Sequence, residues 1–135
     1  MTFSIDEKYN LAIEARKNSY SPYSSFAVGA VLLFKNGDVV KGCNIENASY
    51  GLTNCAERTA IFSAISLGYN LKDVEEVVII ADSPRPVSPC GACRQVFFEF
   101  LDVKTKVTLF NLKKERKETT VEELLPYSFV EEDMK

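Results

Sequence analysis

Cys55, Cys90 and Cys93 are the residues of this chain best suited to chemistry, and Glu57 stands two places from the first of them. Thiolates are soft metal ligands, and three of them leave one position of a tetrahedral zinc free. Structural zinc sites usually close all four positions with protein ligands. Three thiols and a nearby carboxylate therefore outline a catalytic site, with the carboxylate able to reach whatever fills the fourth position. The chain has no histidine, which excludes every mechanism built on an imidazole base, nucleophile partner or ligand. Two other readings fit the cysteine spacing. Cys43 could close a structural site of four cysteines, and Cys90-Gly91-Ala92-Cys93 has the spacing of a redox dithiol, although that motif needs neither Cys55 nor Glu57. By itself Cys43 reads as a small buried apolar residue at a strand end.

Three thiolates on a divalent ion make an anionic centre, which holds the proton of a bound water tightly unless positive charge lies nearby. Cys55 falls at the start of one expected helix, and Cys90 and Cys93 at the start of another. Unpaired N–H groups and the helix dipole favour thiolates there. Arg58 and Arg94 each directly follow a motif segment and are the expected charge-compensating side chains. The implied chemistry is hydrolysis by zinc-activated water, with Glu57 accepting and delivering the proton.

The elements that must position these groups follow from local pattern. Ser4 and Glu7 form a capping box for a helix running towards Asn18. Residues 27 to 34 and 38 to 42 read as strands joined at Asn36-Gly37, a strong hairpin turn. Residues 44 to 51 are loop-like, and a helix from Asn54 or Cys55 stops at Gly68. Val77 to Ala81 is continuously apolar, as in a buried strand, and the proline-rich segment 82 to 89 leads to a helix from Gly91 to Leu101. Lys106 to Phe110 reads as a strand, Lys117 to Thr119 as a last short one, and Thr120 and Glu123 cap a short helix ended by Pro126. Alternation of strands and helices predicts an α/β fold: a three-layer α/β/α sandwich around a mixed five-stranded sheet.

A chain of 135 residues with 46% hydrophobic side chains is read as one domain, residues 1–135, with a true core. The formal net charge of −3 offers no attraction to nucleic acid or anionic lipid. Lys113, Lys114, Arg116 and Lys117 are interleaved with Glu115 and Glu118 and read as a solvated turn. The first residues lack a basic start followed by an apolar run, and no stretch has the length of a membrane span. Cysteines without an export signal lead us to expect a reducing, cytoplasmic location.

Beyond the residues themselves there is a resemblance. Cys55-Ala56-Glu57-Arg58-Thr59-Ala60 together with Pro89-Cys90-Gly91-Ala92-Cys93-Arg94-Gln95 resembles the zinc-dependent cytidine deaminases, of which a three-cysteine variant with a non-ligand glutamate is known. The segments at 21–30, 42–50 and 122–126 are similar to the small, homotetrameric, nucleoside-specific branch, so the likeness covers essentially the whole chain. It implies hydrolysis of cytidine and 2′-deoxycytidine to uridine and 2′-deoxyuridine plus ammonia, one zinc per chain, and pyrimidine salvage. It also implies roles for matched residues. Asn44 and Glu46 would hydrogen-bond the ribose 3′-hydroxyl, Phe26 would stack on the pyrimidine, and backbone groups around Ala56 would read the base edge with Glu57. Tyr50 and Phe129 would complete a neighbouring subunit's pocket. Tyr127-Ser128 stand where the family pattern leads us to expect smaller residues. Deaminases of cytosine-nucleoside antibiotics share the zinc motif, but Asn44-Ile45-Glu46-Asn47 favours an ordinary nucleoside.

Overall fold

The computed structural model describes residues 2–135. Helix α1 spans Ile5–Arg16, and its capping box forms as expected: the Glu7 N–H donates to Ser4 Oγ while the Ser4 N–H donates to Glu7 Oε1. Strands β1 (Val28–Phe34) and β2 (Val39–Cys43) pair antiparallel across the Asn36-Gly37 turn. Gly37 takes φ 94°, a left-handed conformation that costs glycine little. Helix α2 (Ala56–Ser66), strand β3 (Val74–Ala81), helix α3 (Gly91–Phe100), strands β4 (Lys106–Asn111) and β5 (Arg116–Thr120) and the short helix α4 (Val121–Leu124) follow.

The sheet order is β2-β1-β3-β4-β5, with only β3 and β4 parallel. Period-two alternation along the central strands divides the core. Ala30, Leu32, Phe34, Val77 and Ile79 pack under α2 and α3, while Val31, Leu33, Val78 and Ile80 face α1. The three-layer sandwich and the mixed sheet are therefore as the sequence pattern indicates. Gly42 sets how closely β2 and α2 approach, because a Cβ there would lie 2.4 Å from the Ala60 backbone nitrogen.

Two differences have physical causes. β3 begins at Val74, three residues before the apolar run, and includes Glu75 and Glu76. Glu76 is buried there because Lys8 Nζ lies 2.8 Å from its Oε1 and Thr108 Oγ1 donates to its Oε2 at 2.6 Å. An apolar-run criterion cannot see a strand residue whose charge is neutralised by a distant helix. Three isolated 3₁₀ turns, at Tyr50–Leu52, Leu71–Asp73 and Glu131–Met134, have no counterpart in the sequence pattern, since so few residues carry too little periodicity to register.

Candidate metal centre and pocket

The strand-to-helix connections after β2 and β3 bring the starts of α2 and α3 together. Cys55 is the residue before α2 and Cys90 the residue before α3, both in extended backbone, and Cys93 lies in the first turn of α3. Neither preceding cysteine caps its helix with its side chain, so both thiols are free to point outward. The three sulfurs lie within 4.8 Å of one another, with Cys55 to Cys90 at 3.8 Å and Cys90 to Cys93 at 3.5 Å. A zinc with four ligands at about 2.3 Å separates neighbouring sulfurs by about 3.8 Å, close to these two spacings, so the donor set suits the ion. Among the described residues Cys43 is not part of the cluster; it sits at the end of β2, where burial raises its thiol pKa. That removes the closed four-cysteine alternative.

Electrostatics around the cluster differ from residue to residue. The Cys55 thiol pKa is lowered, first by a hydrogen bond from Cys93 and then by Arg58, whose Nη2 donates to Cys55 Sγ at 3.3 Å. The Cys93 thiol is pushed the other way, mainly because it is the donor to that thiolate. One negative charge is thus readily held by the metal-free pair, and a bound cation is what would stabilise the rest. Thr59 Oγ1 donates to the Cys55 carbonyl at 3.1 Å and accepts from Asn54 Nδ2 at 3.1 Å, which steadies the turn entering α2. Neither residue stands out in the sequence, because their roles depend on the cap geometry.

Glu57 faces inward from the first turn of α2 and is 5% exposed. Burial is the main cause pushing its carboxyl up to about 7, with the Cys55 thiolate reinforcing the shift. A buried carboxyl poised near neutrality beside an open metal site can accept and return a proton.

Arg58 and Arg94 part company. Arg58 meets the sulfurs, whereas Arg94 donates from Nε to the Pro89 carbonyl at 2.8 Å and from Nη1 to the Leu124 carbonyl at 2.9 Å. The expectation that Arg94 compensates the thiolate charge is corrected accordingly: its guanidinium closes the loop before α3 onto α4, since those carbonyls would otherwise lack donors.

A cavity of about 240 Å³ opens over the cluster, and Phe26, Asn44, Glu46, Cys55, Ala56 and Glu57 all line it. Ser24, Val87, Ser88 and Cys90 contribute as well. Residues separated by thirty positions in sequence meet because segment 44–46 bridges Tyr20 on one side and Asn54 on the other. Tyr50 and Phe129 stay outside this cavity, 87% and 57% exposed. The Phe129 carbonyl accepts from Gln95 Nε2 at 3.2 Å, and Tyr127 holds φ 54° two residues before it.

Three thiols placed to hold a metal ion beside a buried carboxyl, set on an α/β/α sandwich, have the make-up of a metal-dependent hydrolytic enzyme. Comparison with known proteins narrows this. Residues 4–109 match the model of the cytidine and deoxycytidylate deaminase zinc-binding region. The chain is 58% identical over 123 residues to a cytidine deaminase of Halalkalibacterium halodurans, covering 91% of this chain and 92% of that protein. It is 51% identical over 121 residues to one from Sporosarcina psychrophila, covering 90% and 88%. The crystal structure of cytidine deaminase from Burkholderia pseudomallei superposes with a TM-score of 0.91 at 42% identity, covering 94% of this chain and all of that one. The protein belongs to the cytidine and deoxycytidylate deaminase family, and zinc is the metal its cysteine cluster suits.

Proposed function

We propose that this protein hydrolyses cytidine and 2′-deoxycytidine to uridine and 2′-deoxyuridine, releasing ammonia. The observation that carries the reading is the convergence of Cys55, Cys90 and buried Glu57 on one cavity, with the buried Cys93 sulfur clustered behind them. Cys55, Cys90 and Cys93 would hold the zinc. When bound, zinc acts as a Lewis acid that lowers the pKa of a water molecule. Glu57 would take a proton from the attacking water as its oxygen bonds C4 of the base, and place it on N3. It would then move the proton of the new C4 hydroxyl to the amino group, so that the C4–N bond breaks, C4=O forms, and cytidine and water give uridine and ammonia. Arg58 stabilises the thiolate charge through Cys55. Phe26 supplies an aromatic face for the pyrimidine, and backbone groups around Ala56 meet its edge.

Asn44 and Glu46 take the sugar in this reading, and the carboxylate disfavours a phosphorylated substrate at that position. The exposure of Tyr50 and Phe129 supports assembly as a homotetramer in which these side chains complete a neighbour's pocket. In this reading the chain works in a reducing cytoplasm, where its cysteines stay available to zinc, and serves pyrimidine salvage. No helix among the described residues is long and apolar enough to cross a membrane. The net charge gives no support to a nucleic-acid partner, and residues 1–135 act as one domain. Zinc content measured alongside ammonia release from cytidine tests the proposal. About one zinc per chain with ammonia release is the expected result, and zinc-loaded protein inert towards cytidine and deoxycytidine would overturn it.

A further inference from the structure

Asn44 and Glu46 are both largely engaged by the protein itself. Asn44 Oδ1 accepts from Ser19 Oγ at 2.5 Å and from the Val28 N–H at 2.9 Å, while Nδ2 donates to the Phe26 carbonyl at 2.8 Å. Because the Val28 N–H can only donate and the Phe26 carbonyl can only accept, the amide has one orientation. A side-chain amide has about two acceptor sites and two donors, so a single N–H remains. Glu46 Oε1 accepts the N–H groups of Tyr23 at 2.9 Å and Ser24 at 3.1 Å, and Oε2 accepts the Ser24 hydroxyl. With about four lone-pair sites on a carboxylate, one acceptor remains.

One donor and one acceptor, both on residues lining the cavity, suit a hydroxyl group. A carbonyl or ether satisfies only the donor, and an amine cation only the acceptor. Ser24 does more than fill Glu46. Its Oγ accepts the Phe26 N–H at 3.0 Å, and the residue between them, Ser25, is held at φ 57°, a conformation few serines adopt. One hydroxyl therefore ties the carboxylate at the sugar end to the backbone of the aromatic residue in the same cavity.

We propose that Ser24 and Ser19 are positioning residues that give this pocket its hydroxyl specificity, by leaving Glu46 one free acceptor and Asn44 one free donor. The inference rests on the nucleoside reading above, in which these two side chains meet the ribose 3′-hydroxyl. Ser24→Ala releases Glu46 from its only side-chain donor and loosens Phe26; Ser24→Thr retains the hydroxyl.

The test is steady-state deamination of cytidine and of 3′-deoxycytidine by zinc-loaded protein. The wild type should favour cytidine. Ser24→Ala should raise KM for cytidine about tenfold, the loss expected when a hydrogen bond to a charged group is disordered. Its kcat should stay within about twofold, as for a contact made equally in ground and transition states. KM for 3′-deoxycytidine should rise clearly less than KM for cytidine, since it shares only the loosened Phe26 contact, and Ser24→Thr should return cytidine KM to near the wild-type value. Equal rises on both substrates would show that Ser24 only props the loop, and an unchanged cytidine KM would equally overturn the proposal. If the wild type fails to distinguish the two nucleosides, the sugar-binding reading of Asn44 and Glu46 fails first, and this is visible without any variant. Ser19→Ala carries the same substrate-selective expectation with a smaller rise, and it decides the matter if Ser24→Ala does not fold.

Discussion

Two glutamates in this protein are almost equally buried and have opposite surroundings. Glu57 is 5% exposed and Glu76 is 6% exposed. Glu76 in β3 has Lys8 and Thr108 within hydrogen-bonding distance, so its charge is matched on the spot. Glu57 lies beside the Cys55 thiolate and the Cys93 sulfur, with Arg58 only as a weaker influence. Burial with a cation makes a structural carboxylate, and burial beside thiolates makes one ready to carry a proton. The partner, not the depth, separates structure from chemistry.

Glu57→Gln breaks the comparison most sharply. It should lower deamination by about 10²–10⁴, the usual contribution of a positioned acid–base group, while zinc content stays near one per chain. Ammonia release and metal analysis on the same sample check both halves. At the other glutamate, Lys8→Met should cost about 3–5 kcal/mol in urea unfolding, because it strands a buried carboxylate, and kcat should survive in the folded fraction.

In metal-free protein the Glu57 carboxyl titrates near 7 against an ordinary value of 4.5, so the folded state holds a proton that the unfolded chain has released. That stabilisation is complete below about 4.5 and is lost as pH rises through about 7. Cys55, whose pKa is lowered, contributes with the opposite slope. The difference between wild type and Glu57→Gln isolates the carboxyl, and the wild type should lose roughly 3 kcal/mol relative to the variant over that window. Unfolding midpoints across the range measure it.

The smallest expected effect distinguishes the two arginines. Arg58→Gln should raise the thiolate titration of metal-free protein by about one unit, the removal of one adjacent cation. Arg94→Gln should leave that titration in place and instead lower the melting temperature, because Pro89 and Leu124 lose their donor. Thiolate absorbance and thermal melts separate these outcomes.

Much of the fold is legible in the sequence because its signals are local. The Ser4–Glu7 capping box, the Asn36-Gly37 turn and the apolar run at 77–81 each need only a few neighbouring residues, and each appears where expected. The extension of β3 to Val74 is hidden, since Glu76 is tolerable in a core only when Lys8, sixty-eight positions earlier, arrives beside it. The two arginines follow their cysteine motifs in similar ways, yet only Arg58 bonds a ligand sulfur. Asn44 and Glu46 are legible as polar pocket residues through their family pattern. Their use as anchors for Ser19, Ser24 and Phe26 depends on contacts across 16 to 25 positions that no local pattern encodes.

By itself the sequence determined the chemistry available here: soft ligands at helix starts, no imidazole, and a carboxylate one short step from a ligand. Those properties belong to residue types and to spacing within a single turn. Tertiary structure decided which cysteines meet, which arginine serves them and which glutamate is left without a matching cation. These depend on long-range packing of α2 and α3 against one face of the sheet and of α1 against the other, where distance and desolvation, rather than residue identity, set charge and reactivity.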